Sequence, residues 1–149
     1  MAEAAQDSGL ATDFLLEIVT PERQLVSETV DSVRAPGVDG EFGVLPSHVR
    51  MIAGLGTGLL RYRVVGSSDW SELAVSAGMV EVLPDRVIVL ALTAEASQEI
   101  DVARAQAAFD RARTKLEHPE PDTDIEATLE ALRRSTARLQ AARGEATES

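Results

Sequence analysis

The hydrophobic period of this chain changes once, after Leu92, and that change limits what can fold on either side of it. Before the break the apolar residues recur every second position. Phe14, Leu16 and Ile18 alternate with Leu15, Glu17 and Val19. Leu60, Tyr62 and Val64 alternate with Arg61 and Arg63, Leu73 and Val75 with Glu72 and Ala74, and Val80 and Val82 with Glu81. This is the spacing of half-buried strands, and Arg86–Leu92 is an apolar run of strand length. Turn-forming groups separate the runs at Thr20-Pro21-Glu22, at Gly66–Asp69 and at Leu83–Arg86. Short strands punctuated in this way predict a sandwich or barrel, not alternating βαβ units.

Beyond the break the pattern is helical. Asp101–Glu117 contains neither Gly nor Pro and is rich in alanine, the strongest helix former. Asp101 suits the N-terminal cap, where a carboxylate accepts from exposed backbone N–H groups. Ala105, Ala108, Phe109, Ala112 and Leu116 form one apolar stripe. The connector Glu117–Asp124 carries two prolines, and a second helix is expected from Asp124 to a C-terminal Gly144. Ile125, Leu129, Leu132, Thr136 and Leu139 give that helix a seam of four- and three-residue spacings. The expected organisation is a tail (1–12), a β-sandwich (13–93), a hinge (94–100), an antiparallel αα-hairpin (101–143) and a second tail (144–149), with both tails disordered. An alanine-based hairpin buries little apolar area, so it must dock on something or switch between docked and undocked states.

Composition removes whole classes of function. Of 149 residues, 44% are hydrophobic and only 3% aromatic, so the core must be aliphatic. A net charge of -11 argues against nucleic acid and anionic lipid as direct partners and favours basic surfaces. Without cysteine there is no disulfide, thiol nucleophile or thiolate metal site. Met1–Asp13 has neither the basic and apolar regions of a secretory signal nor the arginines of a transit peptide. No apolar run approaches the roughly 20 residues of a membrane span. The two histidines, His48 and His118, lack partners at catalytic or metal-binding spacing, Ser47 beside His48 makes no triad, and no Gly-x-Ser-x-Gly motif occurs. An enzyme acting alone is not expected, and neither is a required cofactor.

The segment Pro36–His48 (PGVDGEFGVLPSH) is a shaped loop around one short apolar pair, Val44-Leu45. A second glycine cluster follows at Gly54–Gly58, and neither cluster continues into the Lys-Ser/Thr of a phosphate loop. On the residues alone, Asp39 and Glu41 flanking Gly40 make a solvated acidic turn.

In order, GEFGVLPSH, GLGTGLLRYR and LAVSAGMVEVLPDRVIVLA, followed by Ile100-Asp101-x-x-Arg104-Ala105, resemble the ε subunits of F-type ATP synthases from about Phe14 to Leu139. The resemblance implies a flattened β-sandwich of about ten strands followed by a helical hairpin. It also implies a non-catalytic, regulatory rotor subunit of the central stalk, coupling proton translocation to ATP synthesis at the cytoplasmic face of a bacterial plasma membrane. Its partners would be the γ subunit, the c-ring and the catalytic α/β subunits, with the membrane reached only through the c-ring. Asp39, Gly40, Glu41, Phe42, Leu45 and His48, with Gly37, Gly43 and Pro46, would meet γ and the c-ring. Arg133, Arg134 and Arg138 would meet acidic loops of the catalytic subunits and resist ATP hydrolysis. In some members hairpin residues matching Asp101, Arg104, Arg111, Arg134 and Arg138 bind ATP, with Glu95 just upstream, so regulatory ATP is an expectation here. The long connector departs from those members. The alternative is a free-standing β-sandwich that binds peptide or carbohydrate and dimerises through a helical tail.

Overall fold

A computed structural model describes residues 11–144. It contains β1 (Phe14–Val19), β2 (Gln24–Gly37), β3 (Gly40–Val44), β4 (Met51–Leu55), β5 (Gly58–Val64), β6 (Ser71–Leu83) and β7 (Arg86–Ala96). A 3-10 turn, Ser97–Glu99, leads to α1 (Val102–Glu117) and α2 (Ile125–Arg143). The hydrogen-bonded order is β1-β7-β6-β4-β2-β3, with β5 bridging β2 and β6 and β1 returning to β2. Only β1 and β7 run parallel. The sheet therefore folds over and closes on itself, forming the expected sandwich. Leu16, Ile18, Val30, Val33, Leu60, Val75, Val80 and Val89 fill it, an aliphatic core as the low aromatic content requires.

The long strands change phase where they bend. In β2 the ladder steps from Val30↔Val64 to Ser32↔Arg63, so Asp31 is an extra residue. The buried set moves from Val26 and Val30 to Val33 and Ala35, as a bulge demands. In β6 the buried residues shift from Leu73 and Val75 to Val80 and Val82 across Ala77 (φ 48°) and Gly78 (φ 149°). A Cβ at Gly78 would stand 1.8 Å from the Leu90 carbonyl oxygen, so the bend needs glycine there. β7 shifts phase opposite, at Leu92. Counting β2, β6 and β7 as two strands each would give the ten implied by the resemblance. Each runs through its bend as one strand.

One boundary differs from expectation. Ala94, Glu95 and Ala96, expected in the hinge, continue β7 and pair with Val75, Ala74 and Leu73. The polar hinge is thus shorter, because alanines can carry a ladder whose side chains need little room. Residues 1–10 and 145–149 of the two expected tails lie outside the described residues. Ala11 donates its N–H to Ser47 Oγ at 3.2 Å, and Gly144 caps α2 in the left-handed region.

Both helices start as expected: Asp101 accepts from the Arg104 N–H at 3.1 Å, and Asp124 from the Ala127 N–H at 3.0 Å. The α2 helix lies against β5 and β6, and α1 packs on α2 from outside. The interface is built from Ala74, Ile100, Ala105, Ala137, Leu139 and Ala141, with Leu59 and Phe109 at its margin. Of the expected seam, only Leu139 belongs to the buried stripe of α2. Thr128, Ser135, Ala137, Leu139 and Ala141 are buried, whereas Ile125 is exposed and Leu129 and Leu132 border a shallow groove beside Thr57 and Gly58. Small side chains win because they let the helices approach closely. The hydroxyls of Thr128 and Ser135 bond to carbonyls of their own helix, which removes the cost of burying them.

Candidate functional site: two outer faces and an arginine groove

The β2–β3 turn projects from one edge of the sandwich. Gly40 takes φ 124°, and a Cβ on Gly37 would meet the Gly40 carbonyl oxygen at 2.7 Å, so the turn is tight. Asp39, Gly40 and Glu41 are exposed at its tip. Leu45 is 61% exposed in the following loop, beside Val49 at 73%. His48 is half-buried and its Nδ1 donates to the Val49 carbonyl at 2.7 Å, which fixes the loop's exit. Phe42 turns inward, against the core and beneath Gly37, and holds the turn rather than presenting a ring to a partner.

A larger apolar surface lies on the outer face of β4, β6 and β7. Register places Ile52, Glu81 and Ile88 in one row and Gly54, Met79 and Leu90 in the next, with Leu92 beyond. Val38 covers Gly54, whose missing Cβ leaves room for it. Val38, Ile52, Met79, Leu90 and Leu92 are each between 49% and 66% exposed. Alternation does not distinguish an outer apolar face from an inner one, so the sequence shows no more of this surface than that Met51 and Ile52, directly after the shaped loop, could supply apolar contact or be buried in the core. The signal available is that residues on both phases of β7 are apolar, as in a strand covered on both sides.

The hairpin docks on the other layer, over Leu59 and Ala74. Arg138 Nε bonds Glu95 Oε1 at 2.5 Å, and Glu130 accepts from Thr57 Oγ1, and both contacts tie α2 to the sandwich. Glu130 also meets Arg133 at 3.2 Å and Arg134 at 3.8 Å. At the hinge Arg23 bonds both carboxylate oxygens of Glu99 at 3.0 Å. That bond, with a second from the Ala96 N–H, holds the Glu99 carboxyl below its ordinary range. Arg111, Arg134 and Arg138 line one open groove of about 800 Å³ between the helices, together with Lys115 and His118. Arg104 and Asp101 do not line it, and Asp101 is engaged as the α1 cap.

These features define a class: a β-sandwich with an uncovered apolar face, carrying a docked helical hairpin whose basic residues are partly neutralised. The profile of the ATP synthase Delta/Epsilon chain beta-sandwich domain matches residues 13–97, and that of the Delta/Epsilon chain long alpha-helix domain matches residues 98–143. The "ATP synthase epsilon chain" of Syntrophobacter fumaroxidans is 45% identical over 133 residues, covering 89% of this chain and 98% of the relative. That of Carboxydothermus hydrogenoformans is 48% identical over 112 residues, covering 75% and 82%. The chain belongs to the ATP synthase epsilon-chain family, and is a subunit of the membrane-associated complex, not itself catalytic. The fold is also that of a chain in the Euglena gracilis mitochondrial ATP synthase (OSCP/F1/c-ring), with a TM-score of 0.76 at 24% identity over 90% of this chain and 83% of the other.

Proposed function

We propose that this chain is the central-stalk rotor subunit that links γ to the c-ring, couples proton flow to ATP synthesis and resists ATP hydrolysis through its hairpin. The observation that carries this reading is the uncovered apolar face of Val38, Ile52, Met79, Leu90 and Leu92, on the layer opposite the hairpin. An apolar patch of this kind marks a protein interface, and γ is its occupant. The acidic tip at Asp39, Gly40 and Glu41, with Leu45 and His48 behind it, meets the c-ring, where charge sets register and association rate more than affinity. The brake is Arg133, Arg134 and Arg138. Arg138 is held by Glu95 of β7 while the hairpin is docked and is released when α2 lifts from the sandwich, whereas Arg133 and Arg134 pair with Glu130 of their own helix and travel with it. The complex lies on the cytoplasmic face of a bacterial plasma membrane. Co-purification tests the apolar face: Ile52→Asp with Leu90→Asp should leave the chain folded and abolish recovery with γ, and unchanged recovery would refute it.

Regulatory ATP is a second reading, supported by Arg111, Arg134 and Arg138 on one groove. ATP must there displace Glu95 from Arg138, in a chain of net charge -11, so affinity is modest and salt-sensitive. It stabilises the retracted hairpin only by its differential affinity for that state. Arg104 contributes through the field of α1 and not by lining the groove. Isothermal titration of the isolated chain should give heat that Arg134→Ala removes. No heat at millimolar ATP would leave these arginines as catalytic-subunit contacts alone.

A further inference from the structure

The bulge at Asp31 has a consequence on the outer face of β2 and β5. Downstream of it Val33 and Ala35 point into the core, so Arg34 points out, directly across from Arg61, with Arg63 two residues further along the same face. Trp70, the only tryptophan, lies over all three guanidinium groups, at 5.7 Å from Arg34, 5.5 Å from Arg61 and 5.2 Å from Arg63. Arg61 is only 8% exposed. Like charges directly opposed across strands destabilise a sheet, yet here three of the chain's 14 basic residues share one ring. Two carboxylates face the group: Asp31 bonds Arg63 Nε at 2.9 Å, and Glu72 stands opposite Arg61 in β6. Arg34 is exposed, and its neighbour across β3 is Gly43, which has no side chain to cover it.

We propose that Arg34, Arg61 and Arg63, held under Trp70, form a docking site for an acidic segment of a partner protein. Three observations select that occupant. The first is charge: arginine concentrates on one face of a strongly acidic chain, and a planar guanidinium takes a carboxylate with two parallel bonds. The second is preparation: the indole restrains side chains that would otherwise lose rotamer freedom on binding, and a nearly desolvated Arg61 beneath it strengthens the field at Arg34. The third is shape: Arg34 is exposed on the outer face of a strand, beside Gly43 of β3, so the surface suits an extended segment more than a small anion. The site adjoins β3, whose tip carries the acidic turn, but it recognises the opposite charge. It therefore stands or falls separately from the docking of γ on the apolar face.

Because Trp70 is the lone tryptophan, its emission reports the site in the full chain. Titration with hexaglutamate at low salt should change that emission saturably, with a dissociation constant that rises with salt, while hexaglutamine should not. Arg34→Gln, at an exposed position, should keep the melting curve and weaken hexaglutamate about tenfold, and Arg34→Glu should abolish binding. Emission unchanged at millimolar hexaglutamate, or equal binding by Arg34→Gln, would overturn the proposal. So would inorganic phosphate acting at the same concentrations as the peptide, since that would mark a small-anion site.

Discussion

Gly78 is where a single atom would do most damage. Its φ of 149°, and the 1.8 Å that would separate an added Cβ from the Leu90 carbonyl oxygen, leave Ala no strain-free position in β6. Gly78→Ala should lower unfolding free energy by about 3 kcal/mol or more, read from the denaturant midpoint at constant slope. A second prediction concerns Glu99. Its carboxyl titrates below the ordinary value of 4.5 because Arg23 and the Ala96 N–H hold the charged form. A depressed carboxylate contributes stability that is present above its unfolded pKa and is lost as pH falls through the folded value. Both partners are well exposed, so the effect on global stability is small. The expected readout is local: amide exchange at Ser97–Ile100 should speed up as pH falls below the ordinary carboxylate range, and Glu99→Gln should remove the dependence. At this scale the sequence was readable where polarity and position agreed, as in the caps Asp101, Asp124 and Gly144. It misled where a distant ring decides burial: alternation predicts an exposed Arg61, and Trp70 covers it.

The strands were legible from period-two spacing, because inward residues must be apolar along β1 and on either side of the bend in β6. The bends were not, since a bulge shifts the phase without changing composition. The two helices were legible from capping and alanine content, but the face of α2 was not. Leucines suggested a seam of which the structure keeps Leu139 and gives the rest to Ser135, Ala137 and Ala141, because small residues allow the close approach that more leucines would prevent. This ordering can be checked by substitution. Ser135→Leu, at a position with no exposure, should destabilise the docked hairpin by about 1–3 kcal/mol through overpacking. Leu132→Ser, beside the shallow groove, should cost about 1 kcal/mol at most. Thermal melts of the two variants decide the matter, and the reverse order would restore the leucine seam.

Over the whole molecule, the two faces of the sandwich are used differently. One carries the hairpin, tied by Arg138–Glu95 and Thr57–Glu130, and the other presents uncovered apolar residues. Under the proposed function this separates assembly from regulation, since a hairpin that leaves its layer does not disturb the docking face. Because β7 runs to Ala96 and the turn ends at Glu99, a clean division falls after Glu99 and not at Ala94, where the cut would strip the ladder to Leu73 and Ala74. The most direct measurement is ATP hydrolysis by the purified synthase carrying either the full chain or residues 1–99. The truncated chain should still co-purify with the complex, and hydrolysis should rise, with Arg133→Ala, Arg134→Ala and Arg138→Ala together shifting the full chain the same way. Loss of the truncated chain from the complex, or equal hydrolysis by both complexes, would contradict a rotor subunit that docks by its sandwich and brakes by its hairpin.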